Sequence, residues 1–174
     1  MFTFITDNGV FSKTGVDYGS EVLLDAVQKI GVHGSILDMG CGYGTIGVIL
    51  KKLNPSCSVV SVDVNPRAVE LTGINSQQNG CELTAFVSDG FESIKDTFDY
   101  VITNPPIRAG KKVIYKMFED AYEHLNENGE LIAVIRKKQG AESAVKKFEE
   151  IFSNCEIVSR DKGYWILRSK KLTG

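Results

Sequence analysis

Apolar and polar residues follow two different periods along the chain. Short runs rich in β-branched residues have the continuous apolar character of buried strands, at Ser35–Met39, Ser58–Asp63, Leu83–Val87, Phe98–Thr103 and Leu131–Arg136. Other segments repeat their apolar residues every three or four positions, at Glu21–Ile30, Ile46–Leu53, Arg67–Gln78, Val113–Leu125 and Ala141–Phe152. The first set predicts strands and the second predicts helices, and the two kinds of segment alternate.

This alternation is typical of one sheet architecture. Strand–helix–strand units place their strands in parallel and cover both faces of the sheet with helices. The order changes near the end, because Glu156–Ser159 and Tyr164–Arg168 flank four turn residues and predict an antiparallel hairpin. We therefore expect an α/β fold with a doubly wound, mostly parallel sheet. Its ligand site should lie just after the carboxyl ends of the strands.

Length and composition limit the size and surroundings of this fold. With 174 residues, 43% of them hydrophobic, the chain can bury one good core, so we expect a single domain over residues 1–174. Four cysteines without a C-x-x-C pair, and two histidines, predict reduced thiols, no metal site and a cytoplasmic location. The start of the chain lacks an apolar stretch of signal or spanning length, so we expect no membrane partner.

The first predicted strand leads into a run of glycines, ILDMGCGYGTIG. Gly40, Gly42 and Gly44 allow the backbone to approach a ligand closely, and the following helix presents N–H groups there. Gly42, Gly44 and Gly47 also match the G-x-G-x-x-G pattern of dinucleotide-binding dehydrogenases, although one such match is weak. Asp38 ends the strand, and a carboxylate there repels a pyrophosphate. The acid favours a cationic or amino-bearing ligand instead.

Acidic residues also follow the second and third predicted strands. Asp63 ends the second strand, where a carboxylate can accept both hydroxyls of a ribose. Asp89 follows the third strand and is predicted either to contact an adenine amino group or to cap a helix. Together these acids predict a ligand that contains a nucleoside.

Several short motifs resemble those of a known class of enzymes. D-x-G-C-G-x-G after the first strand, an acid after the second, S-D after the third and N-P-P after the fourth are similar to class I S-adenosylmethionine-dependent methyltransferases. More narrowly, four stretches resemble the catalytic domain of the ribosomal RNA small-subunit guanine-N2 methyltransferases. They are NGVFS (Asn8–Ser12), DYGS (Asp17–Ser20), NPPIRAGK (Asn104–Lys111) and RKKQGA (Arg136–Ala141). The likeness covers nearly the whole chain and implies a seven-stranded Rossmann-like sheet. Some members carry a second, degenerate copy of the domain ahead of the catalytic one, and we expect none here.

The resemblance implies a function for the residues after the fourth strand. An exocyclic base amine is a poor nucleophile because its lone pair is delocalised into the ring, and two acceptors can make its nitrogen more tetrahedral. The predicted acceptors are the side-chain oxygen of Asn104 and the carbonyl of Pro105, while Pro105 and Pro106 stiffen the backbone and add no donor. We therefore expect a methyltransferase that acts on guanine N2 of 16S ribosomal RNA. Its cofactor is S-adenosylmethionine, held by the glycine turn and the three acids.

The residue after the prolines separates two groups of N-P-P enzymes. Enzymes that methylate adenine N6 or a glutamine amide usually have an aromatic residue there, so Ile107 favours the guanine-N2 group and a place against the substrate. Phe11, in a segment (residues 1–20) expected to cover the cofactor site, is a candidate for covering the cofactor or the base. A cofactor-binding module without catalysis is a further alternative, which the intact glycines and N-P-P turn disfavour.

Positive charge is concentrated beside the same motif. The net charge is −2, yet Arg108, Lys111, Lys112 and Lys116 follow N-P-P without an acid among them, and Arg136–Lys138 follow the fifth strand. Such a run is either a solvated surface or a site for RNA phosphates, with Arg108 and Lys111 as candidate contacts. Since a base inside a duplex cannot reach the pocket, we expect an unpaired or flipped base. The expected partner is ribosomal RNA or a small-subunit particle.

Overall fold

The computed structural model describes residues 2–6, 11–12 and 17–172, with the side chains of residues 11 and 12 excepted. The helices are α1 (Tyr18–Ile30), α2 (Thr45–Leu53), α3 (Pro66–Gln78), α4 (Lys111–Glu123) and α5 (Ala141–Phe152). The strands are β1 (Phe4–Ile5), β2 (Phe11–Ser12), β3 (Ser35–Met39), β4 (Ser58–Asp63), β5 (Thr84–Val87), β6 (Phe98–Thr103), β7 (Leu125–Arg136), β8 (Glu156–Asp161) and β9 (Tyr164–Lys170). The predicted alternation of strands and helices is confirmed.

Seven strands form one sheet in the order β5-β4-β3-β6-β7-β9-β8. The first five are parallel, whereas β9 runs antiparallel to both β7 and β8. The doubly wound, mostly parallel sheet with a terminal hairpin is therefore confirmed. The hairpin is placed so that its second strand pairs with β7, which makes Tyr164 the register partner of Arg136. Strand order reverses at β3, so the expected ligand crevice lies between the carboxyl ends of β3, β4 and β6.

Several predicted boundaries are off by one to three residues, and the largest error is at the junction of α4 and β7. The apolar spacing places Leu125 in the helix, but the helix ends at Glu123 and Leu125 starts the strand opposite Phe98. Leu125 belongs to the same buried cluster as the apolar face of α4, so its position fits the helical spacing although its backbone is extended. The strand also starts earlier than predicted, because a register shift and the positive φ of Asn128 (66°) interrupt its alternation.

Apolar side chains fill both faces of the sheet. Successive strand residues point to opposite faces, so Ile36 belongs to the cluster under α1 and α2 and Leu37 to the cluster under α4 and α5. Phe118 of α4 and Phe148 of α5 are fully buried and meet edge to face, with ring centroids 4.8 Å apart. Burial of such a side chain contributes roughly 1.5–3 kcal/mol. The helices therefore hold the strand ends, and the residues that follow them, in fixed positions.

The described part of the chain shows neither a membrane-spanning helix nor a metal-binding cluster, and its cysteines are reduced. None of its helices has the length and apolar character needed to cross a bilayer. None of its clusters of His, Cys, Asp and Glu side chains is arranged to hold a metal ion. All four cysteines are free thiols, two of them buried.

Candidate active site

The chain between β3 and α2 forms a tight turn whose shape requires glycine. Gly40 and Gly44 have φ of 76° and 101°, in the left-handed region that other residues avoid. The amides of Gly40 and Cys41 both donate to the carbonyl of Val62, at 2.9 and 2.8 Å, and so tie the turn to β4. A Cβ at Gly40 would meet no protein atom within 4 Å, whereas one at Gly44 would lie 3.1 Å from Thr72. The turn is thus packed against α3 on one side and open to a ligand on the other.

Asp38, at the end of β3, is enclosed by protein behind this turn. Its side chain is fully buried, and Oδ2 accepts hydrogen bonds from the Gly47 amide at 3.0 Å and the Ser61 hydroxyl at 3.3 Å. Burial raises the pKa of Asp38 to about 7, and the two hydrogen bonds oppose this shift only in part. Oδ1 has no hydrogen-bond partner among the described residues. Asp38 therefore anchors the first turn of α2 and retains one unused acceptor.

Asp63, at the end of β4, forms a wall of an open cleft beside the glycine turn. Its Oδ2 accepts from the amide of Gly42 at 2.9 Å, and its Oδ1 accepts from the amide of Asn65 at 2.9 Å. Each carboxylate oxygen has a second lone pair, so both can also accept a ligand hydroxyl. The other residues that line the cleft are Thr6, Tyr43, Ala68 and Leu71. Two predicted cofactor residues, Gly42 and Asp63, are thus in direct contact here.

The N-terminal strand is fastened beside this cleft by a buried amide. Asn75 of α3 accepts from the amide of Ile5 at 2.7 Å and donates to the carbonyl of Tyr43 at 2.7 Å. This links residues 2–6 to the glycine turn and places Thr6 at the edge of the cleft. The prediction for Phe11 concerns a side chain that lies outside the described residues.

Asp89, after β5, is exposed and begins a turn. The chain forms turns over residues 90–93 and no helix starts there, so the helix-cap alternative for Asp89 is wrong. Ser88 shapes this turn, because its hydroxyl donates to the carbonyl of Gly90 at 2.7 Å and accepts from the amide of Ser93 at 3.1 Å. The carboxylate of Asp89 is left in solvent after the strand that pairs with β4.

The side-chain amide of Asn104, after β6, is oriented by the start of α1. Its Nδ2 donates to the hydroxyl of Ser20 at 3.1 Å and approaches Oδ1 of Asp17 at 3.5 Å. Asp17 also caps the helix, since its Oδ1 accepts from the amide of Ser20 at 2.8 Å. A carboxylate can only accept, so the amide nitrogen must face Asp17 and the amide oxygen must point away. The DYGS and N-P-P motifs therefore form one arrangement.

The two prolines after Asn104 have different environments. Pro105 is buried, whereas Pro106 is exposed and its carbonyl accepts from the amide of Ala109 at 2.8 Å, which starts a 3-10 turn. Within the described residues, the hydrogen bonds include no donor to Asn104 Oδ1 or to the Pro105 carbonyl. The two predicted acceptors are therefore not occupied by protein donors from this part of the chain.

A substrate-sized cavity of about 240 Å³ opens beside Asn104 and is assembled from distant parts of the chain. Its lining residues are Asp17, Asn104, Ile107, Val134, Ile135, Arg136, Gln139 and Tyr164. The guanidinium of Arg136 lies 5.2 Å from the centroid of the Tyr164 ring. Sequence reasoning missed Tyr164, Asp17 and Gln139. Tyr164 reaches the cavity because β9 pairs with β7, and no local sequence pattern reveals this pairing.

The predicted basic cluster is neutralised in part by neighbouring acids. Lys116 forms an ion pair with Asp120 at 2.8 Å, one turn further along α4. Across the residues that the structure describes, Arg108, Lys111 and Lys112 have no carboxylate within 4 Å. We call these three residues the basic surface. It begins in the 3-10 turn after Pro106, directly after the cavity-lining Ile107, and continues into α4.

Fold and site together define a class I S-adenosylmethionine-dependent methyltransferase. A glycine turn and an acid border the cleft between β3 and β4, and N-P-P follows β6 at the point where strand order reverses. The family of the methyltransferase small domain matches residues 1–168, and the chain belongs to this family.

Individual relatives are consistent with this membership. The chain is 48% identical over 174 residues to the uncharacterized protein YbxB of Bacillus subtilis, covering 98% of this chain and 87% of that protein. It is 33% identical over 170 residues to ribosomal RNA small subunit methyltransferase C of Vibrio vulnificus, covering 94% of this chain and 48% of that protein. A solved structure of the T. thermophilus 16S rRNA N2-guanine methyltransferase RsmC, in complex with AdoMet and guanosine, matches with a TM-score of 0.82 and 28% identity, over 94% of this chain and 45% of that one. The chain thus spans about half the length of these two rRNA methyltransferases.

Proposed function

We propose that the protein transfers a methyl group from S-adenosylmethionine to an exocyclic base amine, guanine N2 of 16S ribosomal RNA. The observation that carries this proposal is the fixed orientation of Asn104. Its amide nitrogen is engaged by Ser20 and Asp17, so its oxygen is left as one acceptor, and we assign the second to the carbonyl of Pro105. Two fixed acceptors suit an amine that must present two N–H groups and a lone pair.

The cleft beside the glycine turn fits the cofactor. Asp63 can accept the ribose hydroxyls while it keeps its bonds to the turn, and the space beside Gly40 is open. In its ionised form the buried carboxylate of Asp38 favours positive charge nearby, and S-adenosylmethionine has both a sulfonium and an amino group. Asp89 is exposed at the end of β5, where we assign it to the adenine amino group. When bound, S-adenosylmethionine supplies an electrophilic methyl group.

The chain's own residues would activate the amine by position rather than by removing a proton first. Asn104 and Pro105 each accept one N–H, which draws the nitrogen toward tetrahedral geometry and aims its lone pair at the methyl carbon. The bound cofactor would supply the methyl group with loss of its C–S bond, and the amine nitrogen, still held by the two acceptors, would release its extra proton to water. No strong base is needed. This agrees with the positions of the two histidines, since His33 lies before β3 and His124 before β7, at the strand ends opposite to the site.

The cavity contains groups that favour guanine over adenine. Guanine has an N1–H donor next to its amine, whereas adenine has an acceptor at that place. The carboxylate of Asp17 lies beside Asn104, so it can accept from N1–H of guanine but faces the lone pair of adenine N1. Arg136 lines the same cavity and can donate to O6 of guanine.

The folded protein supplies from the hairpin an aromatic ring that the residue after the prolines lacks. Ile107 replaces the aromatic residue of the adenine-N6 and glutamine enzymes, but Tyr164 brings an aromatic ring into the same cavity from the hairpin. Stacking of a base is therefore available without an aromatic residue after the prolines. Adenine N6 is the second candidate, favoured by this ring and disfavoured by Asp17.

The basic surface is the proposed contact for RNA phosphates. Arg108, Lys111 and Lys112 follow Ile107, which lines the cavity, and they lack carboxylate partners in the described part of the chain, so they can bind the RNA backbone near the target base. Such contacts position an RNA without reading its sequence. Ribosomal RNA, free or in a small-subunit particle, is the proposed partner.

Analysis of the methylated product tests this function. The protein is incubated with labelled S-adenosylmethionine and with 16S rRNA or small subunits from a strain that lacks the gene, and the RNA is digested to nucleosides. We expect N2-methylguanosine by mass spectrometry. N6-methyladenosine would instead support the second candidate, and transfer to neither base would overturn the proposal.

A further inference from the structure

A second, more apolar pocket lies between the 3-10 turn after Pro106, helix α4 and the start of α5. Its walls are formed by Ile107, Ile114, Ile135 and Ala144, and its polar groups include Gln139 and Ser143. Its volume of about 110 Å³ is several times the ~10–15 Å³ that one water molecule requires. Apolar walls with a few polar groups are typical of a site for an organic ligand.

We propose that this pocket binds the nucleobase next to the methylated one, in a single-stranded segment of the RNA substrate. The inference rests on the proposed function and extends it. Ile107, Ile135 and Gln139 line both this pocket and the cavity beside Asn104, so the two spaces are adjacent. A strand whose target base enters the cavity therefore has its neighbouring base at the entrance of the pocket. We call this pocket the neighbour-base pocket.

The chemistry of the neighbour-base pocket matches a base. A nucleobase has apolar faces and polar edges, which correspond to the isoleucine walls and to Gln139 and Ser143. Tyr115 adds a half-buried aromatic ring to the wall. Stacking on an aromatic side chain is the usual means by which proteins hold unpaired bases, and it tolerates different sequences. The site therefore detects that a neighbouring base is unpaired rather than which base it is.

Charge at the entrance suits the phosphate that joins two nucleotides. Lys111 lines the pocket, and its Nζ lies 5.2 Å from the centroid of the Tyr115 ring. Lys147 approaches the same ring at 5.7 Å, although it is also paired with Glu119 at 2.8 Å. A base on Tyr115 would thus have its phosphate beside Lys111, at the edge of the basic surface.

The test compares a filled pocket with a removed base. Ser143→Trp fills the neighbour-base pocket from an exposed position, and Tyr115→Leu removes the aromatic wall. Ser56→Trp is the matched control, since Ser56 is exposed just before β4 and thus at the opposite edge of the sheet. The probe is a short fluorescent single-stranded RNA with one guanine in its middle, and the same RNA with an abasic nucleotide on one side or the other of that guanine. Binding is measured by anisotropy in the presence of S-adenosylhomocysteine.

We expect the wild-type protein and Ser56→Trp to lose roughly tenfold in affinity when the base on one side is removed, in line with one stacked base. Ser143→Trp and Tyr115→Leu should bind the intact RNA roughly tenfold more weakly and should not respond to the abasic nucleotide. Equal responses of all four proteins to the abasic nucleotide would overturn the neighbour-base pocket, as would unchanged binding by Ser143→Trp. Circular dichroism and cofactor titration confirm that each variant is folded.

This outcome is separable from that of the proposed function. Formation of N2-methylguanosine by a protein whose binding ignores the abasic nucleotide supports the function and excludes the pocket. Loss of affinity with the abasic RNA, together with a different methylated nucleoside, supports the pocket and excludes guanine N2.

Discussion

The cofactor cleft and the substrate cavity both lie at the carboxyl ends of the strands. The contacts that form each of them differ in how far apart the contacting residues are in the sequence. In the cleft, the Gly42 amide binds Asp63, 21 residues away, and the Gly47 amide binds Asp38, nine residues away. In the cavity, Asn104 binds Ser20 across 84 residues. The glycines and acids of the cleft therefore belong to one local motif, to which only Thr6 is added from afar by the Asn75–Ile5 bond across 70 residues, whereas the cavity depends on the whole chain. Changes in the cleft should act on the cofactor and on stability, and changes in the cavity on transfer alone.

The largest effect should come from the buried acid of the cleft. Because the pKa of Asp38 rises from 3.8 to about 7, the folded protein keeps a proton that the unfolded chain releases. Stability should therefore fall as pH rises from about 4 to about 7, by on the order of 4 kcal/mol from this group alone. Asp38→Asn should remove that part of the pH dependence, as measured by chemical unfolding at pH 5 and pH 8. If the free energy of unfolding changes with pH equally in the wild type and in Asp38→Asn, the raised pKa of Asp38 is contradicted.

The next largest effect should come from the acceptor in the cavity. Asn104→Ala removes one of the two acceptors and leaves the cleft intact, so transfer should fall by about 10²-fold or more while cofactor affinity is unchanged. Single-turnover kinetics and calorimetry measure the two quantities separately. Asn104→Asp should be milder than Asn104→Ala because it keeps an acceptor. Full activity of Asn104→Ala would refute the role.

Asp63→Ala is the corresponding test of the cleft. Loss of charge-assisted hydrogen bonds to the ribose should weaken S-adenosylmethionine binding by about 2 kcal/mol. The rate of transfer at saturating cofactor should stay near that of the wild type, since no cavity residue is altered. Calorimetry and a cofactor titration of the rate check both statements. Unchanged affinity would remove Asp63 from the site, and tight binding of NADH alone would overturn the class.

Asp17→Asn tests whether the cavity depends on the orientation of one amide. Asparagine still caps α1 but can also donate, so Asn104 would no longer be held in one orientation and kcat should fall roughly tenfold. The double variant Asp17→Asn with Asn104→Asp restores a carboxylate and a carboxamide in exchanged places. It should be more active than Asn104→Asp alone, which sets two carboxylates side by side. Additive losses in the double variant would contradict the proposed arrangement.

The smallest effect should come from the basic surface. Arg108→Glu together with Lys111→Glu should raise KM for RNA a few-fold and lower the salt dependence of binding by about 0.7 per lost phosphate contact. Lys29→Glu with Lys52→Glu is the matched control. Both lysines are exposed near the ends of α1 and α2, on the side of the sheet where β3 and β4 begin, away from the site. Cofactor affinity should be equal in both double variants. If the salt dependence is the same in both, the basic surface is only a solvated face.

The difference in contact range also explains what the sequence could predict. The glycine turn, Asp38 and Asp63 belong to one strand–turn–helix–strand unit, so their neighbourhood follows from local pattern. Tyr164 could not be predicted, because its place depends on which strand of the hairpin pairs with β7. The contact between Asp17 and Asn104 likewise depends on how α1 packs on the sheet. A strand pattern also cannot state that the carboxylate of Asp38 is enclosed rather than exposed.

The hairpin has a consequence for the order in which the protein matures. Tyr18 donates to the carboxylate of Asp161 at 2.7 Å, across 143 residues, and its ring packs on that of Tyr164, with centroids 5.5 Å apart. A ribosome makes Asp161 and Tyr164 after every residue of the cleft and after the rest of the cavity. Contacts of such long range also form late in folding, because they close the longest loops. During synthesis every residue of the cofactor cleft is therefore present before the chain has all the residues that it needs to hold a base.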